Sequence, residues 1–248
     1  MIDTHAHLDA CADAPEQLLA RARAAGVQRI VAIGSGIDSC RAALDVAEHE
    51  DGVFAALGIH PHQAARREAD RLDELRVLLD HRKAVAVGET GLDFFRDYAP
   101  RDRQRKLFAA ELELAAETAK PVVVHTRDAA DTTADALTTF GGTVVLHCFS
   151  SPDLLPVALE RGYYVSFAGN VTFPQAADLR EAAARVPAER LLAETDSPYL
   201  APVPRRGRPN EPANVMHTLD VLAELRGVAA GELEEQIDAN ASAAFGLS

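Results

Sequence analysis

Ile2-Asp3-Thr4-His5-Ala6-His7-Leu8-Asp9 opens the chain with two imidazoles one residue apart at the end of a short apolar run. In a strand, residues two apart point to the same face, so His5 and His7 would converge on one point. On a helix the same pair would diverge by roughly 160°. The spacing therefore points to a first strand whose end presents two ligands to one metal ion. Capping or half-buried histidines are the ordinary alternative for such a pair.

Working outward, short β-branched runs alternate with longer amphipathic segments. The strand-like runs are Met1–His5, Arg29–Ile33, Val53–Ile59, Ala84–Gly88, Pro121–His125, Thr143–His147, Tyr163–Phe167 and Leu191–Glu194. Helical patterns fill the gaps at Pro15–Ala25, Ser39–Glu50, Asp70–Leu79, Arg101–Ala119, Ala129–Phe140, Pro152–Arg161, Pro174–Ala184 and Ala213–Arg226, with a last one from about Ala230 to Phe245. Eight strands each followed by a helix in 248 residues predict a single-domain (β/α)8 TIM barrel, with a doubly wound open sheet as the alternative. No linker or composition break divides the chain. The proline-dense stretch from Ser197 to Pro212 reads as a long loop over the barrel mouth.

Composition narrows the function. An apolar fraction of 48% and a charged fraction of 25% are those of a water-soluble globular chain. No eighteen-residue apolar run is present, so no membrane span is expected. The absence of a basic-then-apolar leader argues for the cytoplasm. Three widely spaced cysteines without a C-x-x-C fit a reducing compartment rather than a disulfide framework. A net charge of −13 argues against a broad basic surface for nucleic acid, so an anionic substrate would need a local positive centre. No stable protein partner is implied.

Barrel enzymes carry their chemistry at the C-terminal ends of the strands. Here those ends are His5 and His7 on the first strand, His60 and His62 on the third and Glu89 on the fourth. His125, His147 and Asp196 follow on the fifth, sixth and eighth. The second and seventh runs end instead in Gly34-Ser35-Gly36 and Ala168-Gly169-Asn170, which leave room for a ligand or for close backbone approach. Six of the nine histidines thus fall on one rim, while His49, His81 and His217 lie on helices or loops. Burying several imidazoles with two carboxylates is costly unless a cation pairs with them. A pair of divalent ions (zinc, magnesium, manganese or nickel) would meet that need, with Glu89 as the bridge. His5, His7 and Asp196 would complete one ion, since the first and last strands are neighbours only in a closed barrel. His125 and His147 would complete the other. Such a centre activates water for attack on a phosphoryl or carbonyl group, and Asp196 can take the proton.

At these residues the sequence resembles the TatD family of metal-dependent deoxyribonucleases. The resemblance runs through Asp3-Thr4-His5-Ala6-His7-Leu8, Gly58-Ile59-His60-Pro61-His62, Gly88-Glu89-Thr90-Gly91-Leu92-Asp93, Val124-His125-Thr126-Arg127 and His147-Cys148-Phe149-Ser150. It continues through Glu194–Pro202 and Arg206–Pro212. It implies metal ligands at His5, His7, Glu89, His125, His147 and Asp196, and DNA cut from the 3′ end as substrate. It sets His60 and His62 near the scissile phosphate rather than on the metals. Arg127 is a candidate phosphate contact or else a surface arginine at a helix start, and Arg206 a second basic candidate in the last loop. Ser151, Arg205 and Pro209 depart from the family's usual residues without touching a predicted ligand. A small phosphoester, ester or amide is the alternative substrate.

Overall fold

The computed structural model describes residues 1–96 and 98–247. Its eight strands are β1 (Ile2–Ala6), β2 (Arg29–Gly34), β3 (Val53–Leu57), β4 (Ala84–Asp93), β5 (Val122–Arg127), β6 (Val144–Leu146), β7 (Tyr164–Phe167) and β8 (Leu191–Ala193). They pair in parallel in that order. The main helices are α1 (Pro15–Ala24), α2 (Ile37–His49), α3 (Leu72–Leu79), α4 (Arg101–Thr118), α5 (Ala130–Ala136), α6 (Leu155–Arg161), α7 (Ala177–Arg185), α8 (Val215–Arg226) and α9 (Ala230–Phe245). This is the (β/α)8 barrel that the alternation predicts. No helix among the described residues is long and apolar enough to cross a membrane.

Strand interiors read as near-continuous apolar runs because both faces are covered, the barrel core on one side and the helices on the other. Ile30 to Ile33 and Val122 to Val124 are all buried, and Phe108 of α4 and Phe167 of β7 are fully enclosed. At the N-terminal end, α9 docks on the strand starts. The Arg29 guanidinium donates to Ser242 and to the Asp238 carbonyl, and Asn240 donates to the carbonyls of Ala188 and Leu191.

The barrel closes between β8 and β1 without a regular ladder. A single bridge joins Ala6 to Ser197, with the His7 amide on the Ser197 carbonyl at 2.8 Å and the Asp196 amide on the His5 carbonyl at 2.9 Å. Side chains supply the rest. The Asp3 carboxyl accepts from the Thr195 amide at 2.9 Å and from its hydroxyl at 2.6 Å, and the Thr4 hydroxyl donates to the Ala193 carbonyl at 3.0 Å. With few backbone partners across the seam, buried polar groups there are satisfied by side chains.

β4 runs five residues beyond Gly88, where the apolar pattern places its end. Its register against β5 shifts between Val87 and Thr90 and resumes with Gly91 opposite His125 and Asp93 opposite Arg127. A side chain at Gly91 would meet the His125 carbonyl at 2.1 Å, and its φ of 132° suits glycine alone. Backbone pairing, not hydrophobicity, extends this strand. At Gly169 the small residue serves close approach, since a Cβ there would stand 2.1 Å from the Leu200 carbonyl of the last loop.

Glu111 on α4 ties β3 and β4 together, accepting from the Ile59 amide at 2.7 Å and pairing with the Thr90 hydroxyl at 2.6 Å. Burial pushes its carboxyl up from 4.5 to about 8. A carboxyl whose pKa is higher in the fold than in the unfolded chain stabilises fully below the unfolded value. That contribution is lost as pH rises towards the folded value. Glu111→Gln keeps an acceptor for the Ile59 amide and removes the titrating group, so its denaturation midpoint should fall less steeply than wild type between pH 4.5 and 8. At the seam, Asp3→Ala should lower stability in chemical denaturation by about 1–3 kcal/mol through unsatisfied buried donors, whereas Asp3→Asn should be nearly neutral.

Candidate metal centre

β1 ends in a buried His5, and His7 stands just beyond it. Their Nε2 atoms lie 3.2 Å apart, the convergence that strand alternation requires. The seam brings Asp196 alongside, its Oδ1 at 3.6 Å from His7 Nε2 and 3.9 Å from His5 Nε2. Asp196 and Cys148 both adopt left-handed backbone, at φ 54° and 43°. Such conformations cost of order 1–3 kcal/mol in a residue other than glycine and cluster at functional sites. Here they turn the chain sharply at two strand ends.

Glu89, in mid-β4, stands at the centre with its two oxygens facing different groups. Oε2 lies 3.3 Å from His7 Nε2 and 3.6 Å from His5 Nε2. Oε1 lies 2.9 Å from His125 Nδ1, 2.9 Å from His147 Nε2 and 3.3 Å from His60 Nε2. The His5 and His147 rings stack at 3.8 Å between centroids, so the two groups share an edge. Among the described residues, three sets of side chains offer ligand atoms within 4.8 Å of one another: His5, His7 and Asp196; His5, Glu89 and His147; His60, Glu89 and His125. The donor set is imidazole nitrogen and carboxylate oxygen on convergent geometry, which fits a divalent metal ion.

The electrostatics ask for positive charge. Burial works against ionisation of Glu89, yet His60, His147 and His125 hold its carboxyl well below the usual range. Asp196 is also depressed, with its hydrogen bond to His7 overcoming burial. Burial opposes charge on His7 too, but Asp196 and Glu89 lift it to about 10. His147 rises against burial through Glu89 and Glu194. Where burial wins the pKa falls, as for His5, and for His60 to about 4. The raised pKa values of His7, His125 and His147 mark a site whose two buried carboxylates favour positive charge beside them, the charge a divalent ion would bring.

Several residues around this centre lie apart from the set read from the strand ends. Glu194 is fully buried, accepting from the Cys148 amide at 2.7 Å and standing 3.1 Å from His147 Nδ1. It fixes the orientation of His147, as carboxylates commonly do for metal-binding histidines. Asp93, at the end of the extended β4, holds His62 Nε2 at 2.8 Å and lies 3.4 Å from His125 Nε2. Both occur within motifs legible in the sequence. The signal was a carboxylate directly beside an apolar strand, a position where burial is expensive unless the group has a partner.

His60 lies nearer the centre than the sequence reading set it, as close to Glu89 as the histidines of β1, because β3 and β4 are hydrogen-bonded neighbours. His62 stays one step out on Asp93. Arg127 lines the open cavity of about 830 Å³ above the cluster, stacked over Phe95 at 3.9 Å. Arg206 does not line that cavity: its guanidinium lies over Phe173 at 4.0 Å and donates to the Ala201 carbonyl. Aromatic stacking and that carbonyl hold it against the loop after β7, away from the cluster.

Fold and rim together define a parallel-barrel hydrolase with a carboxylate–imidazole centre at the C-terminal ends of its strands. The sequence profile of the TatD related DNase family matches residues 2–246. The "Uncharacterized metal-dependent hydrolase TatD" of Mycobacterium tuberculosis is 40% identical, over 100% of this chain and 98% of that one. A protein of Klebsiella pneumoniae named "3'-5' ssDNA/RNA exonuclease TatD" is 37% identical over 94% and 92% of the two chains. The crystal structure of YJJV, the TatD homologue of Escherichia coli K12, superposes with a TM-score of 0.94 at 33% identity, covering 100% of this chain and 98% of that one. The chain belongs to the TatD family and is an enzyme, a metal-dependent hydrolase.

A ligand that binds only the folded state raises its stability, by about 2.7 kcal/mol at a concentration one hundred times its Kd. Chelator-treated protein should therefore melt at a lower temperature than protein saturated with a divalent cation, and calorimetry should show the shift lost in Glu89→Gln.

Proposed function

We propose that this chain, one barrel domain over its whole length, is a divalent-metal-dependent nuclease that hydrolyses phosphodiester bonds of DNA from the 3′ end. The observation that carries the reading is Glu89, whose two oxygens divide the imidazoles into two groups. That division suits two cations held side by side. His5, His7 and Asp196 would hold one, His125 and His147 the other with His60 beside them, and Glu89 both. When bound, such ions neutralise phosphoryl oxygens and lower the pKa of water enough to make it a nucleophile near neutral pH. The name of the Klebsiella relative supports a nucleic-acid substrate. Three free cysteines suit a reducing compartment such as the cytoplasm.

The chain's own residues divide the work. Asp196, kept ionised by His7, offers Oδ1 to receive the proton of the attacking water. Glu194 orients His147 through Nδ1, and Asp93 orients His62. The guanidinium of Arg127 can receive a phosphate with matching planar geometry, and Arg96 lines the same cavity. His60 and His62 line the same cavity, within reach of a substrate phosphate held there.

A second reading keeps the centre and changes the substrate to a small phosphoester, ester or amide. The net charge of −13 favours it, since a broad phosphate track is lacking. End-labelled single-stranded DNA separates the two. With a divalent cation the wild-type protein should shorten it from the 3′ end, chelation should stop the reaction, and Glu89→Gln or Asp196→Asn should abolish it with the fold intact. Full activity in either variant overturns the assignment. Turnover of a small chromogenic phosphodiester with no shortening of DNA under any divalent ion would favour the second reading.

A further inference from the structure

Aromatic residues make up 5% of this chain, which contains four tyrosines and no tryptophan. Among the described residues the exposed aromatic side chains are Phe95, Tyr98 and Tyr199, at 54%, 62% and 56% exposure. All three belong to the loops that follow β4 and β8. In an eight-stranded barrel with strands in sequential order, β4 and β8 lie opposite one another across the mouth. Tyr98 and Tyr199 line the same cavity as the carboxylate–imidazole cluster. Tyr98 stands nearly perpendicular to His62 at 4.7 Å between centroids, and Tyr199 nearly perpendicular to His7 at 5.8 Å. The cluster is thus flanked on opposite sides by two half-open aromatic rings.

Exposed aromatic surface has a cost in water that a partner with a flat apolar face removes. Nucleobases have such faces, and every base has one, so stacking is tolerant of sequence. In a duplex those faces are covered by neighbouring bases; in a single strand they are free. An acidic chain also cannot rely on a phosphate track of lysines and arginines for affinity. Stacking on two fixed rings supplies that affinity without net positive charge.

We propose that Tyr98 and Tyr199 are specificity-determining residues that stack the nucleobases on either side of the phosphodiester held at the cluster, selecting unpaired nucleic-acid ends. The proposal rests on the nuclease reading above. It assigns the tyrosines a role in positioning substrate, with no part in bond cleavage.

The test uses the full chain with a divalent cation and two oligonucleotides, one intact and one abasic at the last two 3′ nucleotides. Loss of one base–aromatic stack weakens binding by about 5- to 150-fold. Wild type should therefore cleave the abasic strand, which loses both stacks, with a KM raised by at least a factor in that range. Tyr98→Ala and Tyr199→Ala should raise KM on the intact strand similarly, and the double variant should cease to distinguish the two strands. Tyr98→Phe and Tyr199→Phe keep the ring and should retain wild-type KM. The preference of wild type for single over double strands should shrink in the alanine variants. Alanine variants with unchanged KM on the intact strand, or with equal losses on intact and abasic strands, overturn the proposal while leaving the nuclease reading in place. A wild-type protein that cleaves neither oligonucleotide removes the nuclease reading and this inference with it.

Discussion

The Asp3 carboxyl, fully buried two residues before the first histidine, is the contact on which the barrel depends. It takes both the amide and the hydroxyl of Thr195, and so joins the first strand to the stretch just past the last. Burial outweighs these hydrogen bonds and pushes its pKa up to about 8. Three donors converge on it, the amides of His5 and Thr195 and the Thr195 hydroxyl. With the seam fixed, the His5 carbonyl receives the Asp196 amide, and residues from opposite ends of the sequence meet at one point. The opening His-x-His pair contributes half a site, and closure supplies the rest.

Around Glu89 the molecule concentrates what its surface lacks. The chain carries a net charge of −13, yet its mouth gathers five imidazoles near one carboxylate, with Arg96 and Arg127 close by. In a buried setting such interactions are far stronger than in water. The imidazoles answer that field unequally, with the pKa raised at His7, His125 and His147 and lowered at His5 and His60.

Much of this was legible from residue order. The alternation of β-branched runs with amphipathic segments places all eight strands, because a strand covered on both faces must be apolar along its length. His5, His125, His147 and Asp196 could be read from the residues that end those runs. β4 escaped this rule: Glu89, Thr90 and Asp93 are polar members of a strand whose length is set by hydrogen bonds to β5. For the same reason the sequence alone shows no role for Asp93, at the end of the Gly88–Asp93 motif. Glu194 was hidden because a buried carboxylate shows its purpose only through the partner it finds, here His147 Nδ1 and the Cys148 amide. Arg206, a basic candidate in the last loop by sequence, lies over the ring of Phe173, a partner that no local pattern announces.

By itself the sequence determined the barrel, the family resemblance and the chemistry of the rim, since periodicity and residue type are local properties that survive without coordinates. Only the tertiary structure decided how the rim is shared out. It set Glu89 with one oxygen towards His5 and His7 and the other towards His60, His125 and His147, and it brought His60 inward through the pairing of β3 with β4. It also raised Tyr98 and Tyr199 on opposite sides of the mouth. Distances across a barrel depend on closure, register and strand length, which are cooperative properties of the whole sheet and are written in no single stretch of it.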